Sequence, residues 1–117
     1  MGDVHGMAQT WGNLGSVYYR QGEWDRAIEM YEKSLETKER VRDVHGMAQT
    51  WINMAILYLD TGRPAEAKPL LARAYLILSQ CGSPYADTAA QRLVEACGSV
   101  EAADDYLTQL VEEAPAQ

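Results

Sequence analysis

No stretch of this chain approaches the roughly 20 consecutive apolar residues that a membrane-spanning helix needs, although 47% of its residues are apolar. Apolar material so plentiful and so dispersed belongs to a folded core, not to a bilayer anchor or a disordered polymer. The opening, Met1-Gly2-Asp3-Val4-His5, lacks the basic start and the apolar run of a secretory leader. Cysteine is scarce: Cys81 and Cys97 fit no metal-binding or redox spacing, so reduced thiols in a cytoplasmic protein are the expectation. Basic residues thin out toward the end. Residues 83–117 hold one, Arg92, against seven acidic ones, and the chain carries a net charge of −7. Such a surface repels phosphate backbones and argues against nucleic acid as a partner. A Gly-rich phosphate loop, a nucleophile with its base and a paired-carboxylate motif are all missing, so neither an enzyme nor a cofactor is expected.

What the chain does have is repetition. Asp3-Val4-His5-Gly6-Met7-Ala8-Gln9-Thr10-Trp11 returns unchanged as Asp43-Val44-His45-Gly46-Met47-Ala48-Gln49-Thr50-Trp51, at an offset of 40 residues. The likeness continues through Asn13-Leu14 and Asn53-Met54, Tyr18 and Tyr58, Gly22 and Gly62, Ala27 and Ala67. A third, worn copy follows at a shorter offset. Gly98 answers Gly62, Ala103 answers Ala67 and Leu107 answers Leu71, while Asp87 stands where Trp51 was. His5 and His45 are copies of one another and have no third ligand at a metal-binding spacing.

Each copy reads as two helices. Trp11, Leu14, Val17 and Tyr18 keep the spacing of one helical face; Gly22 interrupts; Trp24, Ala27, Ile28, Tyr31 and Leu35 form a second stripe. Copy two breaks at Gly62-Arg63-Pro64, with Pro64 at a helix start, where a missing N–H costs little. The pattern predicts helices over 4–21, 24–41, 44–61, 64–80, 84–97 and 100–113, no strands, and coil around Pro115. The domain is then one unit, 1–117: repeat one 3–42, repeat two 43–82, and a degenerate or capping repeat 83–114. The abrupt start inside a repeat suggests a piece of a longer array.

Trp-x2-Leu-Gly-x2-Tyr followed by Ala-x3-aromatic resembles the tetratricopeptide signature. Here it is carried by Trp11, Leu14, Gly15, Tyr18, Ala27 and Tyr31, and in copy two by Trp51, Met54, Ala55, Tyr58, Ala67 and Leu71. The likeness is strong over 3–82 and weak beyond. The 40-residue offset exceeds the family's usual period of about 34 and approaches that of HEAT and armadillo repeats. The Trp/Leu-Gly/Tyr/Ala set favours a longer tetratricopeptide variety. The resemblance implies an all-α solenoid of antiparallel helix pairs, coiled as a right-handed superhelix, whose inner groove is lined by the first helix of each pair. It also implies a protein or peptide as partner, with no cofactor.

The groove-facing candidates in copy one are Gln9, Gly12, Asn13, Ser16, Tyr19 and Arg20. Copy two offers Gln49, Ile52, Asn53, Ile56, Leu59 and Asp60, and copy three Tyr85, Thr88, Ala89, Arg92 and Glu95. In similar repeats an Asn at the position of Asn13 and Asn53 grips the main chain of an extended peptide, since its amide both donates and accepts. The Lys and Arg that surround such a pair in the family's clamp for free C-terminal carboxylates are lacking around Gln9 and Gly12, so that ligand is not expected. Ile52, Ile56 and Leu59 form an apolar strip that is either an open contact site or covered by a neighbouring repeat.

By the same offset Gly2, Arg42 and Gly82 are equivalent. Gly82 suits a left-handed turn after a helix, and Arg42 suits it poorly. Two outcomes follow. Either Arg42 is tolerated and Asp43 caps the next helix, or the helix runs on through Arg42 toward Gly46 and two chains exchange halves as a homodimer. End-to-end stacking of repeats is a further route to self-association, and a self-assembling or spacer module is the alternative to a peptide-binding one.

Overall fold

The computed structural model describes residues 4–113, with the side chains of Val4 and His5 outside the description. It comprises six helices: α1 (Val4–Arg20), α2 (Trp24–Arg40), α3 (Val44–Asp60), α4 (Pro64–Gln80), α5 (Tyr85–Cys97) and α6 (Val100–Glu113). Every bound falls within one residue of its expectation, and no strand occurs among the described residues. The expected coil at Pro115, the equivalence with Gly2 and the side chain of His5 lie outside them.

The first four helices are each 17 residues long, and three-residue turns separate them, so the unit of construction is a helix and its turn. The turns share one main-chain solution. After α1 the Gly22 N–H bonds to the Tyr19 carbonyl at 3.0 Å and the Glu23 N–H reaches back to Tyr18 at 2.9 Å. The same pair closes after α3, from Gly62 to Leu59 and Arg63 to Tyr58, and after α4, from Gly82 to Ser79 and Ser83 to Leu78. This is the Schellman arrangement, which satisfies carbonyls the helix end would otherwise leave bare and needs a left-handed residue at its centre. Gly22, Gly62 and Gly82 supply it with φ of 79°, 74° and 69°.

Arg42 takes the same place after α2 with φ 58°, and it is the one non-glycine residue with positive φ among those described. Its N–H bonds to Glu39 at 3.1 Å and the Asp43 N–H to Lys38 at 2.9 Å. The helix therefore stops at Arg40, and the continuous helix through Arg42 that the sequence left open is not the conformation adopted. Side chains explain how the strain is carried. Asp43 Oδ1 caps α3 by accepting from the Gly46 N–H at 2.9 Å, and a Cβ on Gly46 would run into that carboxylate. Lys38 Nζ crosses the joint to the Thr50 hydroxyl at 2.8 Å and the Gly46 carbonyl at 3.3 Å. Burial there holds the Lys38 pKa below the usual lysine value.

The apolar stripes pack as one layer of A helices (α1, α3, α5) against one of B helices (α2, α4, α6). Ala67, Leu71, Ala74 and Leu78 repeat on a single face of α4 and are fully buried. The helix continues through Pro69, which lacks the N–H an interior position should donate. Helix α3 is buried on two sides. Met54 and Leu57 join Ala27 and Tyr31 of α2, while Ala48, Ile52 and Ala55 join α4, α5 and Ala103 of α6. Outside the core the copies also share a cation–π contact: Lys33 Nζ lies 4.9 Å from the Trp11 ring centre and the Arg73 guanidinium 5.9 Å from that of Trp51.

Gly15 and Ala55 show why the signature wants a small residue. A Cβ on Gly15 would stand 2.7 Å from the Tyr31 ring. In copy two the equivalent pair is Ala55 against Leu71, where the smaller partner leaves room for the methyl group. The volumes compensate, as dense packing requires.

Two stability measurements test these points. Arg42→Gly should raise the unfolding free energy in urea by about 1 kcal/mol, the cost of holding a residue with a Cβ in a left-handed turn. Gly15→Ala should lower it by about 1–3 kcal/mol through overpacking. The Gly15→Ala/Tyr31→Leu double variant should recover part of that loss, a positive coupling in the double-mutant cycle.

Candidate partner-binding groove

The A helices stand side by side because each turn returns the chain to the B layer and back. Among the described residues their shared face carries two open hollows. The first, of about 250 Å³, lies between α1 and α3, with Ser16, Tyr19 and Arg20 on one wall, Asn53 and Ile56 on the other, and Tyr31 of α2 behind. The second, of about 290 Å³, lies between α3 and α5, with Gln49, Ile52, Asn53 and Ile56 facing Tyr85 and Thr88. Asn53 and Ile56 belong to both and form the ridge between them.

Polar contacts fix the walls. Tyr31 is buried, yet its hydroxyl surfaces beside the first hollow and is hydrogen-bonded to Ser16 Oγ at 3.0 Å. The Tyr19 hydroxyl donates to the Asp60 carboxylate. That bond ties α1 to α3 and, with burial and the carboxylate's charge, raises the Tyr19 pKa, while the Arg92 guanidinium opposes the shift. Trp24 leans on Tyr19 with ring centres 5.6 Å apart and remains 40% exposed. Arg92 pairs with Glu95 at 3.4 Å. At the far end, His45 Nε2 lies 3.2 Å from Ser83 Oγ and its ring meets Tyr85 edge-on. The side chains of Asn13, Asn53 and Arg20 are exposed and have no hydrogen-bond or ion-pair partner among the described residues.

The sequence-derived candidates divide accordingly. Ser16, Tyr19, Arg20, Gln49, Asn53 and Ile56 line the hollows. Ile52 lines the second as well, but at 6% exposure it is core first, and Ala89 opposite is fully buried. The strip of Ile52, Ile56 and Leu59 is thus covered in part, because α5 packs over it; Ile56 and Leu59 stay half-buried. Gln9 and Asn13 are exposed on α1 outside both hollows, and Leu59 and Arg92 also fall outside them. Tyr31 was missed. Its place on the B-helix stripe marks it as core, and only the hydroxyl's need for a partner pointed to the groove. No three His, Cys, Asp or Glu side chains among the described residues are grouped to hold a metal. No described helix is long and apolar enough to cross a membrane.

Comparison with known proteins agrees with this geometry. The family model for the tetratricopeptide repeat matches residues 6–80, which cover α1 to α4 apart from the first residues of α1. No curated protein and no solved structure matches the chain. The first matched helix pair carries Trp11, Leu14, Gly15, Tyr18 and Ala27 and the second Trp51, Met54, Ala55, Tyr58 and Ala67, and the chain belongs to the tetratricopeptide repeat family.

Proposed function

We propose that this chain is a non-catalytic interaction module that takes a peptide segment of another protein into the groove of α1, α3 and α5. Repeats of the family mediate protein–protein interaction, and the choice of surface rests chiefly on Asn53. Its carboxamide stands unpartnered on the ridge between two hollows with apolar floors. A peptide main chain crossing that ridge can give and receive a hydrogen bond there while its side chains enter on either side.

Self-association is the second reading, favoured by the exposed valines of α6, Val100 at 66% and Val111 at 58%. The stopped helix at Arg42 removes the support for a chain exchange through a fused helix and leaves stacking of helix faces. Light scattering across a concentration series separates the readings. A monomer favours the groove, and a dimer that protects Asn53 favours self-association.

Peptides selected from a random displayed library against the protein should bind Asn53→Ala about tenfold more weakly, the equivalent of one or two lost hydrogen bonds. The variant's melting temperature should be nearly unchanged, since the exposed side chain makes no hydrogen bond among the described residues. Selected peptides that bind Asn53→Ala undiminished in fluorescence anisotropy would remove the groove from consideration.

A further inference from the structure

We infer that a second copy of this chain docks its α6 on the uncovered side of α1, head to tail, so that successive copies continue one solenoid. The inference is independent of the peptide-binding reading and specifies both faces of the stacking considered above.

The chain builds the same junction twice, the B helix of one pair against the A helix of the next. At the first, α2 covers a face of α3 formed by Thr50, Met54 and Leu57. Lys38 Nζ donates to the Thr50 hydroxyl at 2.8 Å, and Met54 and Leu57 cluster with Ala27 and Tyr31. At the second, Leu71, Ala74 and Leu78 of α4 share a cluster with Ala86 and Leu93 of α5. Counted back from the turn glycines Gly62 and Gly98, Ala86 and Leu93 stand where Thr50 and Leu57 stand in repeat two.

Among the described residues, each half of this junction occurs once more without its counterpart. On α1 the A-helix half is Thr10, Leu14 and Val17. Thr10 belongs to the nine residues that recur unchanged, yet it is exposed while Thr50 is buried. Leu14 is half-buried where Met54 is buried, and Val17 is 39% exposed where Leu57 is 0%. On α6 the B-helix half is Leu107 and Val111, one turn apart. Leu107 is half-buried where Tyr31 and Leu71 are buried. Val111 is 58% exposed where Leu35 and Tyr75 pack against the core clusters. A helix that merely capped the array would be polar at these places.

Charge selects which faces meet. Helix α6 carries Glu101, Asp104, Asp105, Glu112 and Glu113 and no basic residue. Helix α1 carries no acidic residue and ends in Arg20. Two α6 helices repel one another, whereas α6 against α1 brings unlike charges together. The contact is therefore between different faces of two copies, and it leaves one face free at each end for further growth. Asn53 lies on the shared outer face of the A helices, so stacking leaves the groove open.

The test is the mass of the whole chain in sedimentation experiments from about 10 μM to about 1 mM. Mass should climb with concentration and pass beyond the dimer. Val17→Glu spoils the α1 face and Val111→Lys the α6 face, both at exposed side chains. Each variant alone should associate at least about tenfold more weakly, because a charge without a partner must lose its water when the faces meet. An equimolar mixture should form dimers and stop there, since each variant keeps one intact face. Thr10→Glu in place of Val17→Glu should give the same mixture result, which guards against a single variant that misfolds. A monomer throughout, association that the variants leave unchanged, or a mixture no better associated than its components would overturn the inference. Asn53→Ala should assemble as the parent chain does while binding library-selected peptides more weakly, so this inference and the groove reading fail separately.

Discussion

The fold depends on a left-handed residue placed at the end of every helix in the first two repeats. Two main-chain bonds close over it, the helix stops, and the chain is sent back along the helix it has just left. Without that reversal the apolar stripes would point into water on long separate rods. With it, each stripe meets another within one turn's length, and the A helices are left side by side with a common outer face. Gly22, Gly62 and Gly82 provide the reversal at little steric cost. Arg42 provides it against its own preference, and Asp43, Lys38, Gly46 and Thr50 gather around it in a set of contacts that the glycine turns do without.

The helices were legible in the sequence because their signals are local. A stripe at helical spacing, a glycine and a proline at a helix start are each read without knowing what lies across the core. The outcome at Arg42 was not legible. A left-handed arginine and a continuous helix differ by an amount that the Lys38 and Asp43 contacts can decide, and those contacts exist only once α2 and α3 have met. Whether Ile52 would lie open or covered was left undecided for a related reason. Its burial depends on how α5 packs across α3, which no local signal in the sequence states.

The groove is legible to a similar depth. Asn13 and Asn53 stood out from the repeat alignment, with Tyr19 and Arg20 among the other groove-facing candidates. That Asn53 would sit on a ridge between two hollows, while Asn13 would lie outside both, required the helices' positions. The two asparagines are copies in sequence and differ in surroundings. Asn53 has an A helix on each side, whereas α1 has a described A-helix neighbour on one side alone. Symmetry of sequence became asymmetry of site.

The two-sided burial of α3 makes the repeats unequal dependants. The cluster that holds α2 in place draws Met54 and Leu57 from α3, buries Ala27 and Tyr31 of repeat one, and has Tyr18, Tyr19, Ile28 and Leu35 packed around them. The larger cluster, running from Ala48 to Ala103, uses nothing from α1 or α2. Repeat one therefore shares its smaller core with repeat two and, among the described residues, lends nothing to that larger cluster. Loosening should begin at α1 and α2, joined to the rest by the smaller cluster and the one strained turn, and the hollow that holds Arg20 belongs to the part of the molecule that opens first.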